Sequence, residues 1–257
     1  MDKLFLEPSE IYEVTVEKGV AKANAKGSYI IPLGFLGGAF IAVGFLGFVR
    51  IAASFPKEWA GLGSLLGACL FPLGLIAILI GGGELVTGNM MVVSTSFMAR
   101  KISFNKLVSN LLILTLLNLA GAVFVAYFLG HITGLTEGTA AAKTIAVAQA
   151  KVNVTFWQGF FSGVGCNWLV GIAVWMSFGA KDLGSKAFLI WFPIMAFVII
   201  GFQHLVANMF IIPAAMFAGA DITVMDFIRN MVIVFLGNLV GASTLVGGLY
   251  TLAYKKK

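Results

Sequence analysis

The sequence predicts an all-α integral membrane protein in which six transmembrane helices form two inverted units of three. Hydrophobic residues make up 60% of the 257 positions and charged residues only 11%, a balance that is typical of membrane proteins and not of soluble domains. Two apolar stretches are too long to cross a bilayer as one straight helix. Related sequence patterns also recur in the two halves of the chain. These observations predict one membrane domain with an internal repeat.

A charged segment precedes the first apolar stretch. Residues 1–28 carry nine charged side chains and contain no apolar core of signal-peptide length, so we expect no cleaved leader. Pro8, Ser9 and Glu10 resemble a helix start, and valines alternate with charges as far as Asn24. The pattern favours a helix that lies on the membrane surface, and a solvated tail is the alternative.

Six apolar stretches follow, and each is bounded by polar residues. Their bounds are 29–49, 62–97, 107–129, 154–178, 187–217 and 227–254. The second and fifth exceed the roughly 20 residues that a single span needs, so both must be interrupted. Gly81, Gly82 and Gly83 supply a break in the second, because consecutive glycines disfavour helix. We expect the fifth to break near His204. The segment 131–153 is predicted to be an alanine-rich polar connection between the halves.

Basic residues predict the orientation in the membrane. Twelve of the 17 lysines and arginines fall on the side of the two termini, and five fall on the other side. By the positive-inside rule, both termini are cytoplasmic in a cell membrane. The net charge of +6 is therefore interpreted as topology and not as a nucleic-acid-binding surface. Cys69 and Cys166 lie inside apolar stretches without metal-type spacing, and we expect neither a disulfide nor a metal site.

The two halves share sequence at corresponding points. Glu84, Asn89 and Met90 match Gln203, Asn208 and Met209 at a separation of 119. In the third helix of each half, seven of 13 aligned positions are identical at a separation of 120: Asn110, Ile113, Leu116, Asn118, Leu119, Gly121 and Ala122 match Asn230, Ile233, Leu236, Asn238, Leu239, Gly241 and Ala242. The first helices align more loosely, with Gly34 and Gly38 opposite Gly159 and Gly163. A unit of three spans is odd, so the second copy inserts upside down: residues 29–130 form repeat one and residues 154–257 form repeat two.

The interruptions point to a site at the middle of the membrane. An ionisable side chain at membrane depth is costly unless it faces a cavity or a partner, which makes His204 a functional candidate, although a structural histidine bonded to a carbonyl is the alternative. Thr87 lies beside the other break and either donates a hydroxyl hydrogen bond or caps the half-helix. Glu84 is expected to bond freed backbone N–H groups. Half-helices that begin after each break aim their N-terminal N–H groups at the centre, which favours an anion.

Three segments resemble a known family. The sequences GELVTGNMM (83–91), CNW (166–168) and FQHLVANMFIIP (202–213) are similar to the formate/nitrite transporter family, and most closely to its hydrosulfide-channel branch. The resemblance extends over about residues 9–254. It implies an aquaporin-like fold, a homopentamer with one pore in each protomer, and passage of small monovalent anions through the lipid bilayer. It implies neither enzymatic activity nor a cofactor.

The resemblance also assigns roles to individual positions. Carried over, the pore histidine falls on His204, the mobile-loop threonine on Thr87, and the vestibule lysine and asparagine on Lys151 and Asn167. The apolar constrictions fall on Phe71 and Phe197 at one end and on Leu75 and Leu85 at the other. From the residues alone, ordinary packing is favoured for these apolar faces, and Lys151 is expected to be an outward-facing loop lysine. The chain departs from the pattern of formate channels at Gln203, where they usually have Glu, and at Val86, where a bulkier residue is expected.

These features predict a pore for a weak-acid anion such as hydrosulfide, formate or nitrite. In this hypothesis His204 lends the solute a proton or a hydrogen bond between the constrictions, because a bare ion pays a high desolvation cost there. Three other functions are alternatives. They are a neutral-solute pore built on Asn89 and Asn208, a haem-binding redox subunit using His131 and His204, and a metal transporter using Glu84, His204 and Met209.

Overall fold

The computed structural model describes residues 5–255, and helices account for most of this range, with an isolated β-bridge between Phe5 and Ala180. Within the described residues, six helical segments are long and apolar enough to cross a membrane: Gly27–Ala53, Lys57–Gly82, Phe104–Ile132, Phe156–Gly179, Leu183–Ile200 and Val224–Tyr254. The predicted fold class is therefore confirmed. Lys3, Lys256 and Lys257, which count toward the predicted basic side, lie outside the described residues.

The two halves contain the same order of helices. The first half comprises α1 (Pro8–Ala23), α2 (Gly27–Ala53), α3 (Ala60–Leu70), α4 (Leu73–Ile76) with a π-helical continuation (Ala77–Gly82), α5 (Val86–Met98) and α6 (Phe104–Phe124), which is extended by a π-helical segment (Val125–Ile132). The second half comprises α7 (Ala141–Val152), α8 (Phe156–Gly179), α9 (Leu183–Ile200), α10 (Leu205–Phe217), α11 (Val224–Ala242), a π-helical segment (Ser243–Gly248) and α12 (Leu249–Tyr254). The breaks before α5 and α10 are those that the sequence predicted.

Glycines with positive φ mark both breaks. Gly82 has φ +113° and Gly201 has φ +86°, backbone angles that residues with a Cβ rarely adopt. After each of these glycines the chain is extended, and it reaches Leu85 and His204 before a new helix begins. The half-helices α5 and α10 are the most enclosed elements of the bundle, because every residue of Val86–Ser96 and of Leu205–Ala215 is buried.

Two asparagines fix the starts of the half-helices. Asn118 of α6 accepts a hydrogen bond from the N–H of Val86 (2.8 Å) and donates to the carbonyl groups of Gly34 (2.7 Å) and Glu84 (2.8 Å). Asn238 of α11 accepts from the N–H of Leu205 (2.9 Å) and donates to the carbonyl groups of Gly163 (2.9 Å) and Gln203 (3.0 Å). One side chain in each half therefore ties together the first helix, the break and the half-helix.

These contacts correct the alignment of the first helices. Because Gly34 and Gly163 occupy the same place relative to Asn118 and Asn238, the true separation is 129, one helical turn from the predicted match of Gly34 with Gly159. The same separation of 129 relates the starts of α2 and α8 and the ends of α1 and α7.

Helix α7 was not predicted from the sequence. Residues 141–152 were predicted to be part of a polar connection, yet they form three helical turns in which Thr144 and Ala148 are buried. Thr144 and Ala148 are four residues apart and therefore lie on one face of the helix, so a helical period was present but weak. The predicted N-terminal helix does form as α1, and it packs on α5, where Gly19 closely approaches Ser96.

Candidate functional site

The starts of α5 and α10 face each other inside the bundle. Thr87 in the first turn of α5 and His204 immediately before α10 are both buried, and the Thr87 Oγ1 and His204 Nε2 atoms are 3.0 Å apart. Backbone N–H groups at a helix start carry partial positive charge, and here two such ends converge on one point. The structure therefore brings together the two residues that the sequence singled out at the breaks.

The hydrogen bonds of His204 indicate its tautomer. The backbone N–H of Ala207 donates to His204 Nδ1 at 3.1 Å, so this nitrogen is an acceptor and caps α10. In the neutral ring the proton then lies on Nε2, which points to Thr87 Oγ1. When Nε2 donates to Thr87 Oγ1, the hydroxyl proton of Thr87 is available for another acceptor. The pair thus contains two donors: the Thr87 hydroxyl is free in this arrangement, and the Nε2–H of His204 becomes free when its bond to Thr87 opens. Protonation of Nδ1 would disrupt the cap.

Two cavities in the described part of the chain approach this pair from opposite faces. The α1-face cavity is about 610 Å³ and is lined by residues that include Leu75, Leu85 and Asn89. The α7-face cavity is about 360 Å³ and is lined by residues that include Lys151 and His204. The central pair therefore lies between the two cavities.

Apolar side chains border both cavities near the central pair. On the α7 face the rings of Phe71 and Phe197 meet edge to face with centroids 5.6 Å apart, and Phe197 also stacks on His204 at 5.5 Å. Both phenylalanines line the α7-face cavity and are at most 3% exposed. Leu75 and Leu85 border the other cavity and are equally buried. The role of these four residues as constrictions stays a prediction.

Lys151 lies at the wall of the α7-face cavity. Its Nζ donates to the carbonyl groups of Gly201 (3.0 Å) and Phe202 (2.9 Å), so it crosses the break before α10. The inward orientation is imposed by α7, the helix that the sequence analysis missed. Burial lowers the pKa of Lys151 to about 8, although interaction with Cys166 opposes the shift.

The α1 face carries an ion pair that the sequence did not predict. Lys22 Nζ and Glu84 Oε1 are 2.6 Å apart, and the Glu84 side chain is only 3% exposed. The other carboxylate oxygen accepts from Asn89 Nδ2 at 3.0 Å. The expectation that Glu84 bonds backbone N–H groups was therefore wrong. Lys22 and Lys151 are 129 residues apart, and the starts of α2 and α8 are separated by the same number of residues. This match was the signal that could have placed Lys22 at the first break, as Lys151 is placed at the second.

Asn167 and Gln203 have partners in the protein and line neither cavity. Asn167 Nδ2 donates to the carbonyl groups of Thr87 (3.1 Å) and Asn238 (2.8 Å), which fixes the backbone behind the central pair. Gln203 bonds the carbonyl group of Lys151 through Nε2 at 3.2 Å and accepts from Asn208. Both residues support the residues that line the cavities.

The haem and metal alternatives find no suitable ligands among residues 5–255. Both ring nitrogens of His204 lie within hydrogen-bond distance of protein atoms, and His131 is paired with Glu137. Glu84 is bound to Lys22, and groups of three potential ligands that could hold a metal are not found in this part of the chain.

Comparison with known proteins decides the family. The sequence profile described as Formate/nitrite transporter matches residues 9–252. The chain belongs to the formate/nitrite transporter family. Its relatives in this family include an uncharacterized transporter, YrhG, of Bacillus subtilis (53% identical over 98% of this chain and 95% of the relative). They also include the formate channel BtFdhC of Bacillus thuringiensis (45% identical over 98% and 97%).

Solved structures agree with this membership. A chain described as a formate/nitrite transporter family ion channel superposes with a TM-score of 0.88 at 25% identity, over 95% of this chain and 98% of that chain. A pentameric formate channel with formate bound superposes with a TM-score of 0.75 at 30% identity, over 95% and 99%. The resemblance found in the sequence is thus confirmed at the level of the family, whose named members are channels and transporters and not enzymes. Assignment to the hydrosulfide branch stays a prediction.

Proposed function

We propose that this membrane protein is a channel for small monovalent weak-acid anions, with formate as the first candidate solute. The observation that carries the proposal is the buried pair of Thr87 and His204, which contains two donors, one of them free, between two cavities at the point where two helix starts converge. The relative from B. thuringiensis, 45% identical, is named a formate channel, which supports formate. The pentameric solved neighbour supports a homopentamer in which each protomer has its own pore.

Along the proposed path the anion is first attracted, then loses water, and then gains hydrogen bonds that offset that loss. Lys151 attracts an anion into the α7-face cavity. Passage between Phe71 and Phe197 removes water from the solute, a cost that is high for a bare charge and much smaller once the solute is hydrogen-bonded or protonated. Thr87 and His204 then supply donors at the centre. Because Nδ1 of His204 caps α10, the histidine acts as a hydrogen-bond donor through Nε2, and its role as a proton carrier is disfavoured.

The remaining roles follow from this path. Leu75 and Leu85 form the second constriction, on the α1 face. Asn167 and Gln203 hold the central pair and Lys151 in place. We assign the α1 face to the cytoplasm, in accord with the predicted position of both termini, and the protein to the cytoplasmic membrane.

Hydrosulfide is the second candidate because of Gln203. This neutral side chain stands next to His204 and bonds the main chain of Lys151 and the side chain of Asn208, where a carboxylate would place a negative charge behind two residues that line the α7-face cavity. Its neutrality leaves Lys151 without an acidic partner, which favours entry of any small anion and does not select for formate.

Flux into proteoliposomes tests the proposal. Purified protein is reconstituted, and the initial uptake of formate, nitrite and hydrosulfide is compared with that of protein-free liposomes. We expect protein-dependent flux for at least one of these anions, and a loss of about tenfold or more in Thr87→Val, which keeps the shape but removes the hydroxyl donor. Absence of protein-dependent flux for all three anions would overturn the proposed function.

A further inference from the structure

The two repeats differ by one functional group at equivalent positions beside the breaks. Glu84 in the first half and Gln203 in the second are 119 residues apart, and each shortly precedes a half-helix. Each uses one side-chain oxygen to accept from an asparagine: Asn89 Nδ2 donates to Glu84 at 3.0 Å, and Asn208 Nδ2 donates to Gln203 at 2.7 Å. The other atom of the group is a carboxylate oxygen in Glu84 and an amide nitrogen in Gln203. The carboxylate oxygen accepts hydrogen bonds and the amide nitrogen only donates them, so the two positions bind different partners.

The lysines beside these positions also correspond. Lys22 lines the α1-face cavity and Lys151 lines the α7-face cavity. Their main-chain carbonyl groups are bound in the same way, by Asn110 Nδ2 at 3.1 Å and by Asn230 Nδ2 at 2.6 Å. The two lysines therefore begin from equivalent places in the backbone, and a difference between their side chains reflects the group that faces them.

The ammonium groups of the two lysines have different partners. Lys22 Nζ is 2.6 Å from Glu84 Oε1, so a negative charge lies beside the positive one. Gln203 Nε2 is a donor and cannot bind an ammonium group, and it donates to the main-chain carbonyl group of Lys151 at 3.2 Å. Lys151 Nζ instead binds two carbonyl groups, at 3.0 Å and 2.9 Å, which carry no net charge. The positive charge of the lysine is thus compensated on the α1 face and uncompensated on the α7 face.

The other lysines that line the cavities do not remove this difference. Lys18 and Lys26 line the α1-face cavity and are exposed, whereas Lys143 lines the α7-face cavity and is half-buried. At about 0.15 M salt, exposed charges are screened beyond about 8 Å, and partly buried charges are screened much less. At this salt concentration the α7 face therefore keeps the larger effective positive charge.

We propose that the difference between Glu84 and Gln203 makes the pore asymmetric, so that a small monovalent anion binds more tightly from the α7 face than from the α1 face. An uncompensated lysine attracts an anion at short range, and a lysine paired with a carboxylate attracts it only weakly. Glu84 and Gln203 are positioning residues, because they act on the solute through the charge and the orientation of the lysines. This inference rests on the proposed function and adds a direction to it.

Passive transport links this asymmetry in binding to an opposite asymmetry in maximal flux. With equal solute concentrations, equal pH and no membrane potential, the net flux through a channel is zero. The ratio of maximal flux to half-saturating concentration is therefore the same from both faces. A lower half-saturating concentration from the α7 face then requires a maximal flux from that face that is lower by the same factor. The channel saturates early from the α7 face and carries a larger maximal flux from the α1 face.

Uptake measured from each face of the unmodified protein tests the proposal. The solute is whichever of formate, nitrite and hydrosulfide gives the largest protein-dependent flux in vesicles of known orientation. Measurements at about pH 7 keep Lys151 largely charged, because its pKa is about 8. We expect the half-saturating concentration and the maximal flux both to be about tenfold lower from the α7 face. Equal half-saturating concentrations from the two faces would overturn the inference, whereas absence of protein-dependent flux for all three anions would overturn the proposed function.

Exchanging the two residues provides a matched test. Gln203→Glu places a carboxylate beside Lys151 and should raise the half-saturating concentration from the α7 face about tenfold. Glu84→Gln removes the charged partner of Lys22 and should lower the half-saturating concentration from the α1 face. The double variant should therefore reverse the order of the two faces. Damage to the fold would weaken transport from both faces without reversing their order, so a double variant with the wild-type order would contradict the proposal.

Lys26→Gln is the control for exposed charge. This variant removes one positive charge from the α1-face cavity without changing the pair of Lys22 and Glu84. At about 0.15 M salt we expect the half-saturating concentration from the α1 face to stay within about twofold of the wild type. A shift as large as that expected for Gln203→Glu would mean that exposed lysines set the affinity, and the inference would be wrong.

Discussion

Replacing His204 with asparagine separates its two roles in the structure. His204 Nδ1 caps α10 by accepting from the N–H of Ala207, whereas Nε2 faces Thr87 at the centre of the pore. Asparagine is among the best capping residues, so His204→Asn keeps the cap and removes the donor at the position of Nε2. His204→Ala removes both and serves as the matched control.

The expected magnitudes follow from these contacts. A hydrogen bond to a charged group contributes about 1.5–3 kcal/mol, and about 1.4 kcal/mol corresponds to tenfold in rate. We therefore expect His204→Asn to lower formate flux about ten- to a hundredfold. The alanine variant should lose a similar flux, and in addition about 0.5–2 kcal/mol of stability relative to the asparagine variant, the value of the cap.

The assay is stopped-flow uptake into proteoliposomes, together with thermal unfolding in detergent. A histidine that only donates a hydrogen bond in its neutral form gives a ratio of wild-type to variant flux that is constant between about pH 6 and pH 8. Flux in His204→Asn within twofold of the wild type would refute the role of Nε2. A ratio that rises steeply as the pH falls would show that the histidine delivers a proton.

Three further predictions concern the supporting structure. The ammonium group of Lys151 is charged below its pKa of about 8 and neutral above it, so the ratio of wild-type flux to Lys151→Arg flux should fall severalfold between about pH 7 and pH 9, and a constant ratio would exclude attraction by this lysine. Lys22→Met leaves the buried Glu84 carboxylate without its cation and should cost about 3 kcal/mol of unfolding free energy; adding Glu84→Gln should recover most of it, and no recovery would mean that the ion pair is not the cause. Gly38→Ala places a Cβ 1.9 Å from a main-chain oxygen of α6 and should prevent normal assembly, as judged by size-exclusion chromatography, whereas Gly61→Ala, with open space around it, should behave as the wild type.

Much of the fold could be predicted from the sequence because membrane insertion imposes simple rules. The length of an apolar stretch sets the number of spans, and stretches of 36 and 31 residues had to be interrupted. The interruptions also identified His204 and Thr87, because polar side chains at membrane depth need partners.

Features that depend on contacts between distant segments could not be predicted. Helix α7 was missed because alanine and polar residues give a weak apolar period, and the inward position of Lys151 depends on that helix. The ion pair of Lys22 and Glu84 joins residues 62 positions apart, and no local pattern indicates which basic residue a buried carboxylate will contact. The one-turn error in matching the first helices arose because small residues recur every fourth position in both, so two registers fit the sequence equally well.

Asn118 and Asn238 each bind three separate segments. The residues that fix the half-helices are therefore separate from the residues that line the cavities. The start of each half-helix is fixed by a side chain that lines neither cavity, so substitutions in the cavity walls leave the anchor of the half-helix in place. New solute preferences can then evolve by exchanging wall residues one at a time, without rebuilding the scaffold.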